Sequence, residues 1–299
     1  MNKISLILMS DNPRFPPKIA LVISIVAVST ASIFIRFSSA GPIAIAAYRL
    51  IFSTLIIMPF FVRSQGLKTL ISIDSKGLLM LVAVGFVLAL HFASWITSLS
   101  FTSVASSVIF VHVDPIFVAL VSHFVFRERL NLGAASGILI AFLGASLLAW
   151  GDIGLGGGSL YGDLLALFGA LMLGIYILAG RKIRQRLSLL EYVTPVYAVS
   201  AIVLTLGCII TQTPLFTYAA REYAIFLAIA IIPMIFGHTI YNWTLRWISA
   251  PIVSISLLGE PIGASILAYF ILREVLNPMT MAGGIVTLVG ILICAYKRK

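Results

Sequence analysis

Residues 114–130 read DPIFVALVSHFVFRERL, and residues 260–276 read EPIGASILAYFILREVL. Set one under the other, the acid, the proline, the Arg-Glu pair and the closing leucine coincide at a shift of 146 residues (260 minus 114). The shift extends outward. Leu130-Asn131 falls on Leu276-Asn277, and Gly137, Gly144 and Ala149 fall on Gly283, Gly290 and Ala295. No gap is needed from Leu99 onward. Apolar stretches match by chance, but proline, Arg-Glu and asparagine at fixed spacing mark an internal repeat.

What repeats is apolar. Of 299 residues, 61% are hydrophobic and 10% charged, with mean hydropathy +1.11. A soluble domain carries about 25% charge. A water-soluble core cannot bury this much apolar surface in a chain of this size, because a folded protein keeps a large surface. The bilayer is therefore the solvent. A span needs about 17–25 mostly apolar residues, and ten runs meet that need: 19–37, 44–62, 78–99, 105–126, 133–150, 161–180, 190–211, 223–245, 251–272 and 280–296. Turn formers separate them, among them Gly41-Pro42, Gly66, Thr213-Pro214 and Asn277-Pro278. The glycines at 154–158 fall between the fifth and sixth runs, where a linker over 151–160 joins a first unit, 18–150, to a second, 161–297. The expected fold is an all-α integral membrane protein of ten transmembrane helices. Five spans per unit make the two units inverted repeats, since an odd number sends the second unit into the membrane from the other side.

The net charge of +10 fits membrane topology rather than nucleic acid. Counted over the connections, sixteen of the twenty basic residues fall on the side of the chain's N-terminus, in clusters such as Arg181, Lys182, Arg184 and Arg186. Arg36, Arg49, Arg221 and Arg273 fall opposite. Basic residues gather on the cytoplasmic side, so both termini are expected in the cytoplasm of a multi-pass protein of the cell membrane. Cys208 and Cys294 each lie in an apolar run, and no disulfide is expected. The first apolar run follows Asp11 and three prolines and is expected to be retained rather than cleaved.

The spacing Pro-x(11)-Arg-Glu-x-Leu followed by two glycines, Pro115 to Leu130 with Gly137 and Gly144, resembles the EamA domain. Its second copy, Pro261 to Leu276 with Gly283 and Gly290, resembles it equally. Two tandem copies are similar to the ten-helix type of the drug/metabolite transporter superfamily. The resemblance implies secondary transport of a small organic metabolite, such as an amino acid, with export among the possibilities. It also implies a pocket lined by the first, third, fourth, sixth, eighth and ninth spans. Two departures stand out: the acid is Asp114 in one copy and Glu260 in the other, and the repeat offers no clear counterpart of Arg49.

Ionisable groups at bilayer depth cost about 2.5–3.5 kcal/mol each on insertion scales and tend to face a cavity. Asp114-Pro115 and Glu260-Pro261 are the first such group. Proline inside a helix removes a hydrogen bond and clashes with the preceding turn, so both spans should bend there. The acids would bind a cation or a proton, or would cap a freed amide or pair with Arg36 or Arg49. The second group is a polar helix face. His91, Ser94, Trp95 and Ser98 stand at i, i+3, i+4 and i+7. His238, Tyr241 and Asn242 repeat the start of that spacing at a shift of 147. With Tyr176 of the sixth span, these residues suit an organic solute: flat apolar walls with a few oriented polar groups. The same residues also serve helix–helix hydrogen bonding.

His112 and His123 lie about 16 Å apart on a helix and cannot share a metal. His112 faces away from Asp114 in an unbroken helix. No metal or cofactor is expected, and the partners are the cargo and the lipid, with the chain a monomer or homodimer. Gly133, Gly137, Ala141 and Gly144 form a stripe suited to close packing, within the chain or between copies. Arg127-Glu128 and Arg273-Glu274 would act as gates or as solvated helix ends. A zinc-protease His-Glu-x-x-His, a Gly-x-Ser-x-Gly and a P-loop are all missing from the sequence. A channel would favour a polar ring over a mixed aromatic pocket.

Overall fold

The computed structural model describes residues 15–118, 120, 132–153, 159–248 and 250–296. His123, Arg127-Glu128, Leu130-Asn131 and the glycines at 154–158 lie outside them. Among the described residues the chain is helical, without strands. In order come α1 (Pro17–Ser29), α2 (Ala31–Phe37), α3 (Pro42–Arg63), α4 (Gly66–Ser72), α5 (Ser75–Ser98), α6 (Val104–Val111), α7 (Leu132–Ile153), α8 (Ser159–Arg184) and α9 (Leu189–Ile210). Then follow α10 (Ala220–Ile229), a π-helical stretch (Ala230–Thr239), α11 (Ile240–Thr244), α12 (Ala250–Ser256), α13 (Gly259–Leu267), a second π stretch (Ala268–Leu272) and α14 (Pro278–Tyr296). Eight helices among the described residues are long and apolar enough to cross a membrane, and Val104–Val118 and Pro278–Cys294 are shorter apolar helices. The protein is a multi-pass helical membrane protein.

Local chemistry sets where helices start. Pro17, Pro42 and Pro278 open α1, α3 and α14, where a missing N–H costs nothing. The Asp74 carboxylate accepts from Gly77 N ahead of α5, and Ser103 Oγ accepts from Ser106 N ahead of α6. Ser188 and Glu191 close a reciprocal capping box at α9. Residues 151–153 complete α7, and 159–160 belong to α8.

The two acid-proline helices are interrupted. After α6 the helix breaks at His112-Val113 and resumes over 114–118. After α12 it breaks at Leu257-Leu258 and resumes in α13. Proline cannot donate to the carbonyl four residues back, so the ladder fails on its N-terminal side. In the helix of residues 220–244 the irregularity is a widening. The stretch holds Pro233, and Thr239 Oγ1 donates to Met234 O, five residues back, at 3.2 Å. Such π turns recur at functional sites.

The tightest helix pair is α7 with α14. A Cβ on Gly137 would come within 2.3 Å of Cys294 N, on Gly144 within 2.4 Å of Thr287 N, and on Gly290 within 2.3 Å of Ala141 N. The small-residue stripe thus packs inside the chain. Elsewhere α8 packs on α5, α9 on α3 and α5, and α1 on the first π stretch. Polar ties fasten the turns. Glu222 accepts from Ser38 Oγ at 2.5 Å, from Ser39 Oγ at 2.8 Å and from Ser39 N at 3.2 Å. Glu274 accepts from Val104 N at 2.8 Å and so caps α6.

Candidate functional site

A cavity lies where the interrupted helices meet α5, α8 and the end of the π stretch. Its lining is His91, Trp95, Val111, His112, Leu173, His238, Tyr241, Leu257 and Glu260. The room for a water-sized sphere among these side chains is about 10 Å³. That is no more than one water molecule needs.

The lining combines rings and a few polar atoms. His91 and Trp95 stack with centroids 6.1 Å apart, and the His238 ring stands 6.2 Å from that of His91. His91 Nδ1 is 2.9 Å from Gly169 O. A carbonyl only accepts, so Nδ1 bears the proton and, in neutral imidazole, Nε2 is an acceptor. Tyr241 OH and His238 Nδ1 are 2.9 Å apart. His112 Nδ1 lies 2.8 Å from Val108 O, so it too is protonated. His112 Nε2 then meets Glu260 Oε2 at 3.2 Å. The two atoms stand within hydrogen-bond distance of each other.

Of the residues singled out in the sequence, His91, Trp95, His238, Tyr241 and Glu260 come together around the cavity. Asn242 and Tyr176 form the layer beside it. Asn242 Nδ2 donates to Tyr176 OH at 2.9 Å and to His238 O at 2.7 Å. Ser94 and Ser98 do not line the cavity. Ser94 Oγ turns back to Leu90 O at 2.7 Å, and Ser98 Oγ bonds Trp95 O and Ser107 Oγ, both at 2.6 Å. Asp114 is completely buried outside the lining, and its Oδ2 accepts from Ser254 Oγ at 2.6 Å. Pro115 and Pro261 flank the breaks without lining the space. Neither acid reaches Arg36, whose guanidinium donates to Thr102 O at 2.8 Å. The sequence reading weighed His112 only against His123 and Asp114, not against Glu260, and it weighed Arg49 only as a partner for the acids.

The lining thus sets aromatic rings beside one imidazole–carboxyl contact. Among the described residues no group of three or more His, Cys, Asp or Glu could hold a metal ion. The model of the EamA-like transporter family matches twice, over residues 17–150 and 160–296. The chain belongs to the EamA-like transporter family. It is similar to proteins described as uncharacterized transporters. One from Archaeoglobus fulgidus is 23% identical over 92% of this chain and 94% of its own length. Another from Methanothermobacter thermautotrophicus is 26% identical over 92% of this chain and 86% of its own. A solved crystal structure superimposes with TM-score 0.66 and 17% identity, over 93% of this chain and 95% of that one, which is a likeness of fold alone. This EamA-like protein is a membrane transporter.

Proposed function

We propose that this EamA-like transporter is a secondary carrier that moves a small organic metabolite, an amino acid or related solute, across the cell membrane by alternating access. The observation that carries the reading is the central cavity. Val111, His112, Leu257 and Glu260 reach it from the two interrupted helices, one in each family-matched segment. Broken helices meeting at a site between repeats are the recurring plan of secondary transporters. The space is too small for an amino acid as it stands. Loading therefore requires the helices to part, which is what alternating access supplies.

The proposal includes ten spans as two inverted five-helix repeats, 18–150 and 161–297, with both termini cytoplasmic. Helix contacts support it. Exchanging the halves turns α5 on α8 into α1 on the first π stretch, and turns α6 on α8 into α13 on α1. It carries α3 on α9, α6 on α13 and α7 on α14 into themselves. Such a set is what a two-fold axis between repeats would produce. Export and import are then the same cycle run in either direction, set by the gradient.

The test is a transport assay in reconstituted vesicles with Trp95→Ala and His238→Ala. Loss of transport in both, with the proteins folded, supports the cavity as the binding place. Normal transport in both removes it.

A further inference from the structure

We propose that Arg49 is the anion-binding residue of the central site, and that the cargo carries a carboxylate which its guanidinium holds. The inference rests on the reading of the cavity as the binding place and adds the class of substrate.

Arg49 stands seven residues into α3 from Pro42, about 10 Å along the helix, and is completely buried. Its guanidinium carbon lies 4.1 Å from the ring centre of Phe92 and 5.8 Å from that of Trp95. Trp95 lines the cavity, so the cation sits one ring-width from it. The Nε donates to Met234 Sδ at 3.3 Å, a weak acceptor. The Nη1 and Nη2 atoms have no hydrogen-bond partner among the described residues, nor has Trp95 Nε1. All of these are donors, and Arg49 adjoins the lining through Trp95 without being part of it.

A second buried arginine supplies the contrast. Arg184, 1% exposed, donates from Nε to Asn242 O at 3.2 Å and from Nη1 to Leu187 O at 2.6 Å. That is how an arginine is satisfied when its role is to tie helices together. Arg49 has aromatic faces instead of acceptors. Cation–π contact offsets part of the cost of burying the charge, but it leaves the N–H groups of both Nη atoms unused. Of the two buried acids, Glu260 is engaged with His112, and Asp114 bonds Ser254 through Oδ2 and leaves Oδ1 without a partner among the described residues. A planar guanidinium with both terminal nitrogens unused matches a carboxylate by two parallel hydrogen bonds. An α-amino acid bound this way would leave its ammonium for the Glu260 side of the cavity.

The experiment is a thermal-shift titration of the purified protein with the twenty L-amino acids and their C-terminal amides, which keep the side chain and remove the negative charge. The expected result is at least one acid that stabilises the protein and binds about tenfold or more tightly than its amide, the worth of one charge-assisted hydrogen bond. In Arg49→Gln the acid falls to the affinity of the amide, and Arg49→Lys regains part of the difference. Equal binding of acids and amides by the wild type overturns the proposal, as does a panel in which no acid binds. The wild-type comparison decides even if Arg49→Gln fails to fold. An acid-to-amide ratio kept in Arg49→Gln, with binding lost in Trp95→Ala, overturns the role of Arg49 and leaves the cavity standing. A ratio lost in Arg49→Gln, with Trp95→Ala and His238→Ala binding normally, supports Arg49 and removes the cavity.

Discussion

His112 Nε2 stands 3.2 Å from Glu260 Oε2, joining the break after α6 to the start of α13 across the centre of the molecule. Both side chains are buried, at 3% and 8% exposure. Removing one partner leaves the other stranded in a low-dielectric site. Breaking such a pair costs about 3–5 kcal/mol, while removing both groups costs far less. Glu260→Ala and His112→Ala are each expected to lower the melting temperature more than the double mutant does. A thermal-melt cycle checks this, and additive effects of the two changes would contradict it.

The same contact sets an expectation for transport. Glu260→Gln keeps the shape and removes the carboxylate. It is expected to insert normally, to transport more slowly and to lose pH dependence. Unchanged rate and unchanged pH dependence in proteoliposomes would remove the pair from coupling.

Hydroxyl direction separates two kinds of residue on one helix. Trp95 lines the cavity, whereas Ser94 Oγ and Ser98 Oγ turn back to carbonyls of α5. Ser94→Ala and Ser98→Ala are expected to keep transport within about twofold, because a solvent-shielded back-bond is worth only about 1 kcal/mol. Asn242→Ala is expected to reduce it, since Asn242 bonds Tyr176 OH and so ties α11 to α8 beside the cavity. Rates measured beside expression levels check the contrast; a loss in Ser98→Ala as deep as in Asn242→Ala would refute it.

Backbone contact between α7 and α14 leaves no space for a side chain. Gly144→Leu and Gly290→Val are expected to prevent folding or lower the melting temperature steeply. Backbone atoms, not flexible side chains, stand within 2.4 Å of the Cβ each would add. Overpacking typically costs about 1–3 kcal/mol, and more where the backbone itself must shift. Wild-type melting in both variants would show that these helices do not meet as described.

Glu222 gathers three donors from Ser38 and Ser39 in the turn between α2 and α3. Glu222→Ala is expected to loosen that turn, and Ser39→Cys in the Glu222→Ala background should react faster with a membrane-impermeant thiol reagent than Ser39→Cys alone. Equal labelling rates would mean that the carboxylate does not hold the turn.

Apolar length made the spans legible. The run at 44–62 became Pro42–Arg63, and 190–211 became Leu189–Ile210, because a bilayer imposes length on every helix that crosses it. Periodicity also gathered His91, Trp95, His238 and Tyr241. It failed where the helix is not ideal. In an unbroken helix His112 points away from Asp114, and only the break at 112–113 lets it meet Glu260 from another span. The π stretch that ends at Thr239 has no sequence signature beyond Pro233. Ser94 and Ser98 share the predicted face, but face does not fix hydroxyl direction: a serine in a helix can bond its own preceding turn. The sequence places Arg49 with the basic residues opposite the N-terminus, and its unpartnered nitrogens are visible only in three dimensions.

Alternating access at the central cavity is tested most directly by counterflow. Proteoliposomes are loaded with a high concentration of an unlabelled amino acid that stabilises the protein, diluted, and given a trace of the labelled form outside. The account predicts transient accumulation of label above equilibrium, saturable with external solute and lost in Trp95→Ala. Uptake that rises linearly with concentration and never overshoots would contradict it, since that is the behaviour of an open pathway rather than a carrier.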